Sequence, residues 1–180
     1  MTVPKNIISN IIDSSNKNKQ KSILYQLTDN KDKKIINSII SLFDDDDIKI
    51  RGDVFSILCL NENDISEILI NSLSSESKNI SAFCALILAN RNDVNGINSI
   101  IKLTNDSSSM VRSCAFGALG HLRANNVREQ IRLGIFDSNL EVKKSAAYAL
   151  VMINEKVSDE EKIELEKQSD PDFEKILKKL

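Results

Sequence analysis

The sequence contains few residues that interrupt helices: its 180 residues include two Pro, five Gly and no Trp. Scarce Pro and Gly are typical of helices joined by polar connections. No stretch approaches the roughly 20 apolar residues of a membrane-spanning helix, including in the first thirty residues. The formal net charge of -2 gives no general reason to expect nucleic acid or an anionic membrane as a partner. We therefore expect a soluble, cytoplasmic protein.

Cysteine is also scarce, and the three residues Cys59, Cys84 and Cys114 show no CxxC motif and no paired spacing. Such a set predicts neither a disulfide framework nor a zinc site. Each of the three falls inside an apolar stretch with helical spacing. We therefore expect core thiols in a reducing compartment.

The main positive feature of the sequence is an internal repeat. Four ten-residue windows superpose without a gap: KIRGDVFSIL (49–58), NISAFCALIL (79–88), MVRSCAFGAL (110–119) and EVKKSAAYAL (141–150). A β-branched residue near the start of each window, position 0 below, recurs after 30, 31 and 31 residues as Ile50, Ile80, Val111 and Val142. A fixed period of this length predicts a solenoid of stacked units. Solenoids usually bind extended partners on one surface.

Apolar or small residues recur at positions +4, +7 and +8, which lie on one side of a 3.6-residue helix. They are Val54, Ile57, Leu58, Cys84, Ile87, Leu88, Ala115, Ala118, Leu119, Ala146, Ala149 and Leu150. A second apolar column lies eleven residues upstream of position 0 and consists of Ile39, Leu69, Ile100 and Ile131. Each unit is therefore predicted to contain a first helix, a short polar turn and a second helix.

Clusters of capping residues support this division. They precede the second helices at 44–47, 74–77, 105–109 and 137–139, where their oxygens can accept the free N–H groups that open a helix. The array is predicted to cover 1–154, with five units at about 4–28, 31–60, 64–90, 94–123 and 126–154. The first unit is degenerate, as expected of an end unit.

After Asn154 the period is lost, and 155–180 is predicted to form a helical cap over the last unit. Residues 159–168 predict a mostly polar helix, and a second helix begins at Asp170–Pro171. Its apolar stripe consists of Phe173, Ile176, Leu177 and Leu180. The alternative is a detachable helix that inserts into a partner or competes with one for the groove of the array.

An Asp followed six residues later by Arg or Lys recurs in three of the four windows, with small residues and Ala-Leu beyond in two of them. The pairs are Asp45 with Arg51, Asp106 with Arg112, and Asp137 with Lys143. This pattern resembles HEAT repeats, in particular the roughly 30-residue type named after phycobilisome lyases. The 79–88 unit departs from it, with Ser75 and Ser81 at the two polar places. The resemblance implies an all-α fold, a right-handed superhelix of antiparallel helix pairs that acts as a scaffold for protein partners.

Some relatives with this repeat are enzymes, but the residues that their chemistry needs are not apparent here. The single histidine, His121, cannot supply the several His-Glu pairs of the di-iron site in deoxyhypusine hydroxylases. The acidic, Trp-free chain does not match the basic, aromatic surface of DNA glycosylases with related helical repeats. Bilin lyases and isomerases share the repeat type, and nothing specific in the sequence supports or excludes that activity.

No catalytic, cofactor or metal site is predicted. The run Asp44–Asp47 lacks the alternating ligands, Gly turn and distal Glu of a calcium loop, so helix capping is the preferred interpretation. Phosphate-binding Gly loops, nucleophile elbows and zinc patterns are also missing from the sequence.

The face of the second helices opposite the core is unusually apolar. Positions +2, +5, +6 and +9 carry mainly small and apolar residues, where a solvated face would carry Lys, Glu, Asn and Gln. Its large members are Phe55, Leu86, Phe116 and Tyr148. The resemblance implies that second helices line the concave side, so these residues are predicted to form the floor of a groove for a peptide or helix.

The basic residues at position +1 are predicted to flank this groove. They are Arg51, Arg112 and Lys143, and they can pair with acidic partner residues or with Asp45, Asp106 and Asp137 of their own turns. The small residues of the face also have a structural explanation, since strong curvature crowds second helices together. A homodimer through this face, or occupation by the chain's own last helix, remains an alternative.

The sequence thus favours a non-enzymatic scaffold or adaptor with a protein or peptide partner and no cofactor. Two alternatives stay open. One is a bilin or tetrapyrrole lyase or chaperone of the phycobilisome-lyase kind, and the other is a regulatory or immunity subunit with one dedicated target.

Overall fold

The computed structural model describes residues 27–167 and 171–178, and this part of the chain is all-α, as predicted. Its helices are α1 Lys33–Ile40, α2 Ile48–Leu60, α3 Ser66–Ser72, α4 Lys78–Asn90, α5 Ile97–Leu103, α6 Ser109–His121, α7 Arg128–Leu133, α8 Leu140–Met152, α9 Asp159–Glu166 and α10 Pro171–Leu177. Short 3₁₀ turns cover Ser41–Asp44, Val94–Gly96, Asn125–Val127 and Gly134–Phe136. The degenerate unit predicted at 4–28 lies outside the described residues except for its last two positions.

Each of the four units after residue 30 contains a short first helix and a second helix of 13 residues. The second helices α2, α4, α6 and α8 begin directly after the predicted capping residues. Asp47, Ser77 and Asn139 accept backbone N–H groups with their side chains, as N-cap residues do. Ser108, which opens α6, makes no such bond. Capping therefore fixes where three of the second helices start.

The side chain at position −5 accepts a backbone hydrogen bond in each of the turns before the second helices. Asp45, Asp106 and Asp137 each accept the backbone N–H of the residue two positions on, at 3.0, 2.7 and 2.8 Å. In the second described unit the Oγ of Ser75 plays this part at 3.2 Å. This repeated bond gives all four turns the same local geometry.

Three second helices end in the same way. Asn92, Arg123 and Asn154 follow α4, α6 and α8 with φ of 53°, 50° and 58°. The next residue in each case returns a backbone hydrogen bond to the helix, for example Ala124 N–H to the Leu119 carbonyl at 3.1 Å. This left-handed residue after the last turn is a common way to satisfy the final carbonyl groups of a helix.

The predicted core columns are buried. The side chains at +4, +7 and +8 of all four second helices are fully buried, and so are Ile39, Leu69, Ile100 and Ile131 of the first helices. They form one continuous apolar cluster along the array. Each unit therefore buries its apolar face only together with its neighbours, which is how a solenoid is stabilised.

The C-terminal helices pack on the last unit. α9 opens with a capping box between Ser158 and Glu161, and α10 contacts α8 and α9. Phe173 of α10 is fully buried, and Ile176 is partly buried against the core. Leu180 lies outside the described residues. Over the described ranges, no helix is long and apolar enough to cross a membrane.

Candidate functional site

The side chains at position +6 form a row across the second helices. Its members are Ser56, Leu86, Gly117 and Tyr148, and we call this row the second-helix strip. Tyr148 is 46% exposed, Leu86 is half-buried and Ser56 is exposed. A side chain added at Gly117 would meet no atom within 4 Å of its Cβ, so the space above α6 is open. The missing side chain of Gly117 therefore leaves an uncovered recess in the strip, which in the repeat register lies between Leu86 and Tyr148.

The prediction that Phe116 lies on the open face is wrong. Phe116 is 2% exposed, and its ring packs over Gly134 in the next unit. Ala85 and Ala147, also at position +5, are fully buried. The physical reason is that a second helix is covered on two sides, by its own first helix and by the following unit. Position +5 therefore belongs to the core in α4, α6 and α8 and is only partly covered in α2.

Phe55, the remaining large residue of the predicted face, is half-buried. Its ring meets Phe83 edge to face, with centroids 6.4 Å apart, and Phe83 stacks on Phe43 at 4.8 Å. Such edge-to-face and offset arrangements are the favourable geometries for aromatic pairs. Phe55 thus helps to join α2 to α4 while part of its ring stays accessible.

Successive second helices approach each other closely. A Cβ on Gly120 would lie 2.7 Å from the Cα of Ala149, so only glycine fits where α6 crosses α8. Among the last three units, the contacts between units are concentrated between the second helices α4, α6 and α8, whereas α2 and α4 contact each other at fewer points. The second helices therefore form the side on which these three units approach each other most closely, as expected of the inner side of a solenoid.

The basic residue at +1 of one unit and the residue at −5 of the next lie opposite each other, and we call this series of positions the ladder. Among the described residues one Arg–Asp pair forms along it, between Arg112 and Asp137. Arg112 Nη1 donates to the carbonyl groups of Asp106 and Ser107 in its own turn, at 2.9 and 3.1 Å. Its Nε and Nη2 donate to the two carboxylate oxygens of Asp137 in the following turn, at 2.7 and 2.9 Å. This bidentate pair lowers the pKa of Asp137, chiefly through the hydrogen bond from Arg112.

The other two basic residues at +1 are held by the protein itself. Arg51 Nη1 donates to the carbonyl groups of Asp45 and Asp46, at 2.6 and 3.2 Å. Lys143 is only 7% exposed, and its Nζ lies 2.5 Å from Oε1 of Glu164 in α9. Lys143 therefore does not flank an open groove, because α9 supplies its carboxylate partner.

The ladder is interrupted in the unit that departs from the sequence pattern. In the repeat register, Arg51 lies opposite Ser75 of the next unit, where Arg112 has Asp137. Asp106 lies opposite Ser81 of the preceding unit, where Asp137 has Arg112. Neither Arg51 nor Asp106 therefore has an oppositely charged residue at the corresponding position. A surface cavity of about 590 Å³ lies at this interruption. It is lined by Asp44, Ser75, Glu76, Ser77, Lys78, Asn79, Ser81, Asp106, Ser107 and Ser108. The repeat pattern in the sequence identifies both serines as departures but does not predict a cavity.

Among the described residues, no cluster of His, Cys, Asp and Glu has the arrangement of a metal site. All three cysteines are free thiols. Cys84 is fully buried, and burial raises its pKa to about 12, while Cys59 and Cys114 are partly buried with raised pKa values. Thiols of this kind pack as small apolar groups and are weak nucleophiles.

No family model matches the chain, and no curated protein matches it. Solved structures do resemble it. A designed armadillo repeat protein in complex with the peptide (KR)4 is 15% identical, with a TM-score of 0.57 over 97% of this chain and 96% of that chain. The CpcE–CpcF complex of phycocyanin lyase from Nostoc sp. PCC7120 is 14% identical, with a TM-score of 0.66 over 79% of this chain and 95% of that chain.

YibA of Escherichia coli is 19% identical and superposes with a TM-score of 0.67 over 91% of this chain and 62% of that chain. At these identities the similarity concerns the fold alone. The chain has the fold of HEAT-like and armadillo-type helical repeats, which confirms the fold that the sequence pattern predicted.

Proposed function

We propose that this protein is a non-catalytic scaffold that binds a peptide or helix of a protein partner across the second-helix strip. The observation that carries the proposal is the open recess over Gly117, between the accessible side chains of Leu86 and Tyr148. An apolar or aromatic side chain of a partner fits such a recess, with Leu86 on one side and the Tyr148 ring on the other.

The dimensions of the strip suit a short segment. Four second helices spaced by about 10 Å span about 30 Å between the outer axes. An extended peptide of about nine residues covers this distance at about 3.4 Å per residue. Successive side chains of an extended peptide point to opposite sides, so every second side chain would point toward the strip.

The solved structures with the same fold support a binding role of this general kind. One was solved with a peptide and another as a complex of two repeat subunits. These complexes belong to those proteins, which share only the fold with this chain. They support the proposal because a solenoid offers a long inner surface on which an extended partner can bind.

The test begins with selection of peptide ligands from a random 12-residue library of about 10⁹ members, a length chosen to exceed the span of the strip. Dissociation constants are then measured by fluorescence anisotropy. We expect Leu86→Lys and Tyr148→Ser to weaken binding at least about tenfold, as for residues at the centre of an interface. Gly117→Leu should also block binding, because its side chain fills the recess.

Leu133→Lys is the matched control, since Leu133 is 63% exposed but lies on first helix α7. It should leave the dissociation constant unchanged. Peptides that bind all three strip variants as tightly as wild type, or that are lost with Leu133→Lys, would contradict the proposal. Sedimentation of the free protein distinguishes occupation of the strip by a second copy.

The similarity to the phycocyanin lyase subunits favours one second candidate, the handling of a bilin or another tetrapyrrole. Two of the cations suited to its propionates are already paired within the protein, Arg112 with Asp137 and Lys143 with Glu164. Absorbance after incubation with biliverdin or haem tests this candidate. An induced, saturable band would favour it over the scaffold.

A further inference from the structure

The interruption of the ladder leaves a set of hydrogen-bond acceptors that elsewhere in this chain holds an arginine. Around Arg112, four acceptors converge on one guanidinium: two turn carbonyls and both oxygens of the next Asp. One unit earlier the residue in the place of Arg112 is Ser81, whose side chain is too short to reach them. Ser81 Oγ donates within its own helix, to the carbonyl groups of Ser77 and Lys78.

The acceptors around the position of Ser81 are nevertheless present. The carbonyl groups of Ser75 and Glu76 correspond by the 31-residue period to those of Asp106 and Ser107, which bind Arg112. The same pair of carbonyls in the preceding turn binds Arg51. Two of the four equivalent turns therefore bind a guanidinium with these groups. In the turn before α8 the basic residue is Lys143, which binds Glu164 instead, and the turn at 75–77 borders the cavity.

The carboxylate is also in place. Asp106 Oδ1 accepts the Ser108 N–H at 2.7 Å, just as Asp137 Oδ1 accepts the Asn139 N–H at 2.8 Å. This bond orients Asp106 as Asp137 is oriented, but the unit before Asp106 supplies no guanidinium. No side chain of the described residues donates to the Asp106 carboxylate. The turn thus holds a carboxylate already positioned for a bidentate partner.

We propose that this cavity is a binding site for the side chain of an arginine, supplied by a protein or peptide partner. The incoming guanidinium takes the place that Arg112 occupies one unit later, with one edge on the Asp106 carboxylate and Nη1 on the Ser75 and Glu76 carbonyls. The charge of the cavity wall agrees, since Asp44, Glu76 and Asp106 outnumber the single cation Lys78. Lysine fits less well because a point charge cannot bridge acceptors arranged for a planar fork.

The site depends on the proposed scaffold function only for the source of the arginine. It lies at the turns that precede α4 and α6, whereas the strip lies at position +6 of the second helices. If only the predictions for variants of Ser81 and Asp106 fail, the arginine site in the cavity is contradicted and the strip is not. If only the predictions for variants of Leu86 and Tyr148 fail, the strip is contradicted and the arginine site is not.

The direct test is a titration of the ¹⁵N-labelled protein with the peptide Ac-Ala-Ala-Arg-Ala-Ala-NH₂, followed by amide chemical shifts. Saturable shifts are expected at residues 75–78 and 106–108. The same peptide with lysine should bind about tenfold more weakly, and the citrulline peptide, which has the shape of arginine without its charge, should not bind. No saturable shift with the arginine peptide, or equal binding of the citrulline peptide, would overturn the proposal.

Variants of the protein sharpen the test. Ser81→Arg places the missing guanidinium on the protein itself and should abolish peptide binding while raising the melting temperature. Asn98→Arg is the matched control, because it adds the same charge at an exposed position of α5 outside the cavity and the strip and should leave binding intact. Asp106→Asn should weaken binding at least about tenfold and covers the case in which Ser81→Arg does not fold. Peptide binding that persists in Asp106→Asn, or in folded Ser81→Arg, would contradict the site.

Arg112→Ser offers a positive test in the next unit. Removal of Arg112 should leave the same acceptor set open at Asp137, and the arginine peptide should then produce new saturable shifts at residues 106–108 and 137–139. Methylguanidinium should likewise restore part of the lost thermal stability. If neither occurs in a folded Arg112→Ser variant, these acceptors do not bind a free guanidinium and the proposal fails.

Discussion

Phe116 lies against the backbone of Gly134 in the following unit, so closely that a Cβ on Gly134 would be 2.6 Å from its Cζ. The Phe116 ring of α6 thereby fills the space that a side chain at Gly134 would occupy, in the 3₁₀ turn Gly134–Phe136. This contact couples two successive units through a single interlocking pair.

Gly134→Ala should destabilise the protein by about 1–3 kcal/mol, because the added methyl also lies 2.6 Å from the Cβ of Ala146 and overpacks the site. Gly117→Ala is the control, since its Cβ meets open space and alanine is the better helix former. It should stabilise by about 0.5–1 kcal/mol. Urea denaturation measures both changes. Equal midpoints for the two variants would contradict the packing described.

Phe116→Ala should cost about 3–5 kcal/mol, the range for a buried aromatic side chain replaced by alanine. Phe116→Asp should unfold the protein, because it buries a carboxylate with no partner. Circular dichroism and thermal melting show the effect directly. A Phe116→Asp variant with native helicity and an unchanged melting temperature would contradict the burial of Phe116 and indicate that it lies on the open face.

The stabilisation from the Arg112–Asp137 pair should depend on pH. The folded-state pKa of Asp137 is lowered below the ordinary value of 3.8, so its contribution is complete above that value and is lost as pH falls through the folded-state pKa. Asp137→Asn should therefore lower the free energy of unfolding by about 1–3 kcal/mol at pH 7. The difference from wild type should shrink below about pH 4. A difference that stays constant down to pH 2 would contradict this account.

Glu164 should hold α9 on the array through Lys143. Hydrogen bonds from Lys143 and then Lys167 lower the pKa of Glu164 to about 2, so the bond persists above the ordinary value of 4.5 and is lost as pH falls toward 2. Glu164→Gln should accelerate amide hydrogen exchange in 159–166 at pH 7. Glu166→Gln, at an exposed position of the same helix, should not. Equal exchange in both variants would rule out the Lys143 contact as the attachment.

Arg123 occupies a left-handed position where its two counterparts in the repeat are Asn92 and Asn154. Asparagine tolerates this conformation better than arginine, and the Arg123 side chain is exposed. Arg123→Asn should therefore stabilise the protein by about 0.5–1 kcal/mol and raise its melting temperature by a few degrees. The reciprocal change Asn92→Arg should lower it. A lower melting temperature for Arg123→Asn would contradict the interpretation.

The sequence was sufficient to predict the helix pairs, the capping turns and the core columns, because each follows from spacing within one helix. It was misleading at Phe116. Helical periodicity identifies the side that a helix buries against its own unit, but not the second side that the next unit covers. Gly134, whose missing side chain makes room for the ring, is distant in sequence and carried no signal by itself.

The ladder was predicted only in part. The spacing of Asp106 and Arg112 suggested a pair within one turn, whereas the carboxylate that Arg112 binds belongs to Asp137 of the following unit. That partner depends on how successive units are stacked, which a single repeat does not encode. The cavity at Ser75 and Ser81 depends on the same stacking of units, so the sequence does not predict it.

The placement of α9 and α10 also bears on self-assembly. α10 packs on α8, α9 packs on the 3₁₀ turn Gly134–Phe136, and Glu164 of α9 pairs with the ammonium group of Lys143. A second copy that stacked on α8 would therefore have to displace these helices. Removal of both helices would leave an adhesive end, and concentration-dependent fibres would be its signature.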